Sequence, residues 1–136
     1  MTEAFHLVGF GKKEIEANSG GAQWVLPIPV GTFAVTAKVE IFSKESGITN
    51  VATSLSPEGP GTIGGETRAD SVSIGLNGAA ERGVATLQAV VGTNSPAKVF
   101  LRCNATFGSA EVSSGRITAV RLVDPNHLHI TSANVQ

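Results

Sequence analysis

The stretch "TFAVTAKVEIFS", residues 32–43, alternates between two kinds of side chain with a period of two. One face of an extended chain receives only apolar residues, namely Phe33, Val35, Ala37, Val39 and Ile41. This alternation is typical of a β-strand with one face in a core. The opposite face carries Lys38 and Glu40, as a solvent-exposed face should, but it also carries Phe42. The pattern therefore predicts a strand and raises the question of what Phe42 contacts.

The same period recurs along most of the chain and predicts an all-β protein. Alternating runs occur in "SVSIGL" (71–76), "VATLQAVV" (84–91), "VFLRC" (99–103) and "RITAVRLV" (116–123), with shorter candidates in "FHLVGF" and "AQWVLPI". Clusters rich in Gly, Asn and Ser separate these runs, and we interpret "SKESGITN" and "NATFGSAEVSSG" as turns. No run has the period of an amphipathic helix, and "KKEIEAN" is left as loop or strand. About 8–10 strands separated by turns predict an antiparallel β-sandwich of the jelly-roll type.

The size and charge of the chain narrow its class. Its 136 residues suit a single domain, residues 1–136, in which 124–136 form a C-terminal tail or an added edge strand. The formal charge is −1 and only 15% of residues are charged, which argues against nucleic acid or an anionic membrane as a partner. No apolar run reaches the length of a membrane-spanning helix.

Cysteine content and the N-terminus indicate the compartment. Cys103 is the only cysteine, so no intramolecular disulfide forms. It shares a strand face with Val99 and Leu101, and we therefore predict a buried, unreactive thiol. The first residues lack the basic start and apolar core of a signal peptide, and we expect a protein made in the cytoplasm and not exported by the general route.

No set of residues in the sequence announces catalysis or a cofactor. His127 and His129 lie two apart and supply at most half of a metal site, so we predict a polar tail and no metal. Glu66 and Asp70 flank Arg68 in a loop that lacks the oxygen-rich spacing of a calcium site. We therefore expect a protein that is not an enzyme and that binds no cofactor.

Apolar residues on outward faces point to a covered surface. Phe42 is one, Phe100 lies opposite Val99 and Leu101, and we place Ile117 on the outer face of its strand as well. A sandwich strand with one wet face should alternate cleanly, so these residues predict a subunit interface. The alternative is that Phe42 and Phe100 cap the core within one chain.

Two stretches resemble a known group of proteins. "PVGTFAVTAKVEIFS" and "GVATLQAVV…AKVFLRCNATFGSAEVSSGRITAVRL" are similar to segments common in actinobacterial and actinophage jelly-roll proteins of undetermined function. The general layout resembles the sandwiches of tumour necrosis factor and of complement heads, and that resemblance implies a trimer. Many of these relatives carry a second cysteine where this chain has Ser54. The difference puts their disulfide in doubt here and fits a reducing compartment.

These observations support two classes of function. The first is a structural module that self-associates, with a trimer favoured. Its setting would be a phage virion assembled in the host cytoplasm, as a minor capsid, decoration or tail component. A bacterial cytoplasmic protein is the alternative setting. The second is a carbohydrate-binding, lectin-like or receptor-binding module. In that case Trp24 and a loop with Glu66, Arg68 and Asp70 would contact a glycan. The low aromatic content, 5%, favours the first class.

Overall fold

The computed structural model describes residues 4–17, 20–44, 46–58, 70–78 and 81–122. Within them the chain forms eight strands and no helix, which confirms the all-β prediction. The strands are β1 (Ala4–Glu16), β2 (Ala22–Ile28), β3 (Gly31–Ser43), β4 (Ile48–Glu58), β5 (Asp70–Asn77), β6 (Arg82–Thr93), β7 (Ala97–Phe107) and β8 (Ser109–Arg121). The described residues accordingly contain no helix long and apolar enough to span a membrane.

The strands form two antiparallel four-stranded sheets. Sheet I has the order β1-β8-β3-β6, and sheet II has the order β2-β7-β4-β5. Every strand pairs with its counterpart counted from the other end, so that β4 pairs with β5, β3 with β6, β2 with β7 and β1 with β8. This nested pairing, distributed over two sheets, is the topology of a jelly roll and confirms the predicted sandwich.

The hydrophobic core lies between the two sheets and is built by alternate residues of each strand. All five apolar positions of the inner face of β3 are buried, as the alternation predicts. The largest fully buried side chains are Phe33, Ile15, Ile41, Leu55, Leu87, Leu101 and Ile117. Each such side chain contributes roughly 1.5–3 kcal/mol relative to an exposed position. The inner faces therefore provide the main driving force for folding.

Most buried polar side chains have hydrogen-bond partners, with the Ser113 hydroxyl as the exception among the described residues. Thr53 Oγ1 donates to the carbonyl of Val72 at 2.9 Å, which joins β4 to β5 through a side chain. Thr93 Oγ1 donates to the carbonyl of Pro29 at 3.1 Å and holds the turn before β3. An unpaired buried hydroxyl would cost about 1–3 kcal/mol, so these bonds explain how threonine is tolerated inside.

The structure resolves one segment that the sequence left open, and it differs from the prediction at two presumed turns. The turn "SKESGITN" includes the first residues of β4, which begins at Ile48. Strand β1 continues through the ambiguous "KKEIE" segment, with a register irregularity between Phe10 and Lys13. The presumed turn "NATFGSAEVSSG" consists instead of two strands, β7 and β8, separated by Gly108 alone. Gly108 has φ of 74°, a left-handed conformation that glycine adopts without a steric penalty, so one residue is enough to carry the chain from sheet II to sheet I.

The assignment of Ile117 to an outer surface is wrong. Ile117 pairs with Ala37, points into the core and has no exposed surface. The outward residues of this part of β8 are Thr118 and Val120, which are partly exposed. Periodicity shows that β8 has two faces, but both faces of "RITAVRLV" carry apolar residues, so the pattern does not decide which one is buried.

Trp24 fills the space between the sheets. Its indole ring lies against Gly9 and Gly115, which are direct cross-strand partners in β1 and β8. A methyl group built on either glycine would overlap the ring, so the absence of two side chains in sheet I makes room for one large side chain from sheet II.

We expect Gly115→Ala to lower the free energy of unfolding by about 1–3 kcal/mol, because the added methyl group forces the indole of Trp24 from its position. Gly75→Ala is the matched control: Gly75 also lies within a strand, but nothing stands within 4 Å of the position of its methyl group. Urea denaturation measures both changes. Equal stability of the two variants would contradict the tight fit around Trp24.

Cys103 lies in the core, as predicted. It has no exposed surface, is free of any disulfide, and pairs with Ala22 in β2 and Thr53 in β4. Burial raises the pKa of its thiol to about 12, because the thiolate would lose its hydration. The thiol is therefore protonated at neutral pH and unsuited to act as a nucleophile.

This burial predicts that Cys103 resists alkylation in the folded protein. Iodoacetamide at pH 8 should label it only as fast as the protein unfolds, and should label it at once in guanidinium chloride. Mass spectrometry of samples quenched over time measures both rates. Rapid labelling under native conditions would show that β7 is not packed as described.

Candidate functional site

Phe100 lies on the outer face of sheet II with one side of its ring covered. The guanidinium carbon of Arg102 stands 4.3 Å from the ring centroid. Arg102 in turn donates to the Glu58 carboxylate at 2.7 Å. The hydrogen bond from Arg102 lowers the pKa of Glu58 and raises that of Arg102 itself. Phe100 therefore belongs to a fixed arrangement of ring, cation and carboxylate.

An apolar groove of about 450 Å³ adjoins Phe100. It lies where β2 ends and β7 begins, and Glu58 and Lys98 stand at its rim. Its apolar lining consists of Pro27, Ile28, Pro96, Ala97 and Phe100. A concave apolar surface with a few charges at its edge suits an inserted apolar side chain.

The opposite end of the same outer face carries the most exposed apolar side chains among the described residues. Ile48 and Phe107 are each 62% exposed. A register shift in the β4–β7 pairing places Phe107 opposite Asn50 and turns its ring outward. Ile48 lies two residues before Asn50 on the same side of β4, so the two apolar side chains are diagonal neighbours.

Ile48 and Phe107 were not predicted as exposed apolar residues, because both lie in segments interpreted as turns. A signal was present: each is a large apolar residue next to a glycine, Gly47 or Gly108, in an otherwise polar segment. An apolar residue in a polar segment that lacks an inward-facing partner is a candidate for external contact.

The surface between the groove and the Ile48–Phe107 pair consists mostly of small side chains around one ion pair. The outward positions include Ala52, Ser54, Ser56, Ser71, Ser73 and Asn104, and the Arg102 side chain lies among them, paired with Glu58. Small side chains lose little conformational entropy on contact, and the charge of Arg102 is already matched by that of Glu58. We call the whole outer face, from the groove to Phe107, the sheet II surface.

Phe42 lies on the other side of the molecule, on the outer face of sheet I. The guanidinium carbon of Arg82 stands 5.7 Å from its ring centroid, and Arg82 forms an ion pair with Glu40. Lys44 bridges Glu14 and Glu111 beside it, at 3.1 Å and 3.3 Å, and hydrogen bonds to these carboxylates raise the pKa of Lys44. Charged side chains of the same chain thus surround Phe42.

Phe42 and Phe100 therefore do not form one surface. They point outward from different sheets, Phe42 near the start of β6 and Phe100 near the start of β7. The sequence pattern suggested one outer face for both residues. Such a pattern separates the buried side of a strand from its exposed side, but it does not show which sheet the strand joins. Phe100 adjoins the groove, and Phe42 sits within an ion-pair cluster.

The predicted ligand loop is described only in part. Trp24 is partly buried, with its ring against Gly9 and Gly115. Asp70 accepts a hydrogen bond from the backbone N–H of Gln88 at 2.9 Å and thus links β5 to β6. Glu66 and Arg68 lie outside the described residues.

The described residues also contain no group of three His, Cys, Asp or Glu side chains placed to hold a metal ion. The predicted pair His127 and His129 lies outside the described part of the chain, as does the tail 124–136, and both remain predictions.

Comparison with known proteins shows similarity in fold alone. No protein-family model and no curated protein matches the sequence. The structure is similar to an Eiger tumour necrosis factor from S. frugiperda, with TM-score 0.57, 8% identity and coverage of 98% of this chain and 99% of that one. The globular domain of the zebrafish complement 1qA protein gives TM-score 0.51, 11% identity and coverage of 89% and 97%.

A virus provides the third comparison. A chain of the infectious bursal disease virus, Gx strain, gives TM-score 0.51 and 13% identity, with coverage of 88% of this chain but only 32% of the viral chain. The present chain thus spans about a third of that protein. Identities this low establish the fold alone, and the molecule is a sandwich similar to those of tumour necrosis factor and complement heads.

Proposed function

We propose that this protein is a non-enzymatic structural module that associates with copies of itself through the sheet II surface. The observation that carries the proposal is the pair Ile48 and Phe107, each 62% exposed at one end of a sheet face that otherwise carries mostly small side chains. Full burial of a Phe or Ile side chain contributes roughly 1.5–3 kcal/mol, so covering this pair gives a substantial gain. The packing of the single chain does not require either side chain to lie in solvent.

The two ends of the sheet II surface are complementary in shape. Phe107 is the last residue of β7 and projects, whereas the groove lies beside Ala97 and Phe100 at the start of the same strand. The two features are separated by roughly 33 Å, the length of ten residues of extended chain. Insertion of Phe107 of one copy into the groove of the next is a head-to-tail contact. Such contacts close into rings when the rotation allows, and the trimer implied by the resemblance to tumour necrosis factor sandwiches is one such ring.

A virion is the setting that we propose, with the module acting as a minor capsid, decoration or tail component of a bacteriophage assembled in the host cytoplasm. The similar segments in actinophage proteins support this setting, and so does the likeness of fold to a chain of a virus particle. A near-neutral domain with a face of mostly small side chains suits repeated contact with identical or related subunits.

Carbohydrate binding, the second class considered, has less support. Glycan sites stack sugars on exposed aromatic rings, but Trp24 is partly buried against Gly9 and Gly115, and one side of the Phe100 ring is covered by Arg102. Among the described residues, Phe107 is the aromatic side chain with the most exposed ring. The observed arrangement therefore favours protein contact.

We expect Phe107→Ser and Ile48→Ser each to dissociate the oligomer while the melting temperature of the subunit stays nearly unchanged. Both side chains are largely exposed in the single chain, so each change should alter the free energy of unfolding by no more than about 0.5 kcal/mol. Light scattering at micromolar concentration and thermal melts measure the two properties.

Phe42→Ser is the matched control, because Phe42 lies on sheet I and is partly covered by its own chain. It should lower stability by about 1 kcal/mol and leave the association state unchanged. A wild-type chain that is monomeric at micromolar concentration would overturn self-association. Dissociation by Phe42→Ser, with no effect of Phe107→Ser, would move the interface to sheet I.

The groove is tested by Pro96→Glu, which introduces a charge at its lining. This variant should dissociate as Phe107→Ser does. Mixing the two variants should restore a dimer, because each retains the half of the contact that the other lacks. Failure of the mixture to associate would contradict the insertion of Phe107 into the groove.

A further inference from the structure

Two cations face each other on the outer face of sheet I. Lys38 in β3 is the direct cross-strand partner of Arg116 in β8 and of Thr86 in β6. Both Lys38 and Arg116 are exposed and point outward. Directly opposite side chains lie about 4.5–5.5 Å apart at Cβ, and like charges in this position destabilise a sheet. The fold therefore tolerates a repulsion that a neutral residue at either position would remove.

Neither cation forms an ion pair with a carboxylate of the described residues. Other described cations do so: Lys12 with Glu111, Lys44 with Glu14 and Glu111, Arg82 with Glu40 and Arg102 with Glu58. Glu40 is two residues from Lys38 on the same face, but it accepts from Arg82 and from Ser114. The positive charge of Lys38 and Arg116 is thus left without a partner within the described fold.

Hydroxyl groups and an imidazole surround the two cations. Thr36, Thr86 and Thr118 line the same shallow depression of about 330 Å³, and no carboxylate lines it. His6 lies in its wall, with Nδ1 at 2.7 Å from Thr118 Oγ1, which leaves Nε2 as the ring nitrogen for a further contact. Cations flanked by hydroxyl and imidazole groups, with no competing acid, form a surface for a negatively charged ligand.

We propose that this depression binds a tetrahedral oxyanion, a phosphate or sulfate group, between the Lys38 ammonium and the Arg116 guanidinium. Arginine and lysine both bind phosphate, arginine through paired N–H groups and lysine as a point charge. The hydroxyls of Thr36 and Thr86 line the same depression and can donate to the anion, whereas the Thr118 hydroxyl already contacts His6. The anion would relieve the repulsion between the two cations, so its binding should also stabilise the sandwich.

The volume of the depression exceeds what a single oxyanion needs, so the same chemistry accommodates either a free ion or the phosphate ester of a sugar. The site lies on sheet I, opposite to the sheet II surface, and it is independent of the proposed self-association. Failure of one proposal leaves the other intact.

Titration of the full chain with inorganic phosphate, against sodium chloride of equal ionic strength, tests the site. We expect saturable binding by calorimetry and a rise of several degrees in melting temperature at saturation. Lys38→Gln and Arg116→Gln should each weaken phosphate binding by about tenfold or more, because each removes a charge-assisted contact. Without phosphate, both variants should melt at or above the wild-type temperature, since the repulsion is gone.

Lys12→Gln is the matched control, because it removes the same charge from sheet I at a position already paired with Glu111. It should leave phosphate affinity unchanged. Titration with glucose 6-phosphate distinguishes a phosphate ester from a free ion as the ligand. If it binds more tightly than inorganic phosphate, the ligand is an ester; if the two bind equally, the ligand is a free ion. Absence of saturable binding, or equal weakening by Lys12→Gln, would overturn the site.

Discussion

The fit of Trp24 against Gly9 and Gly115 is the constraint on which the rest of the sandwich depends. The indole ring extends from sheet II to the backbone of sheet I, at a point where two paired glycines leave room for it. Close packing of this kind sets the distance between the sheets and the register of β1 on β8. It also holds the one tryptophan against sheet I, so that the ring is partly buried. The chain uses its largest side chain for architecture.

The sequence predicted the inner faces better than the outer ones. The alternation in β3 identified its buried residues correctly, because one face there carries only apolar residues and the other carries Lys38 and Glu40. In β8 both faces carry apolar residues, and the assignment of Ile117 was reversed. The pattern of one strand does not show which other strands pack against it, and that packing decides which of its faces is buried.

The features that form the candidate site are hard to predict from the sequence. Phe107 is turned outward by an irregularity in the pairing of β7 with β4, and Gly108 then starts β8 after a single residue. Both lie in a segment rich in small and polar residues, which by composition indicates a loop. Pairing with β4 keeps this segment extended in spite of its composition. Phe100, in contrast, interrupts a clean alternation and was identified as outward from the sequence.

The two outer faces of the molecule differ in chemical character. Sheet I carries ion pairs around Phe42 and the unpaired cations Lys38 and Arg116. Sheet II carries mostly serine, alanine and asparagine around the pair of Arg102 with Glu58, with apolar residues at its ends. Because the side chains of a strand alternate, each outer face can change without altering the core. The same fold can thus present an electrostatic surface on one side and an adhesive surface on the other.

The nested pairing of strands has a consequence for how the chain reaches its native state. Only β4 and β5 are both consecutive and paired, while the other ladders join strands increasingly distant in sequence, up to β1 with β8. Folds with such non-local contacts are slow to form, because the entropy of closing each loop is lost before the contacts compensate for it. Formation of β4–β5 brings β3 and β6 together, and their pairing does the same for β2 and β7. Each closure shortens the loop that the next one must close, so the sandwich is suited to assembly outward from its middle strands, with the two ends of the chain joining last.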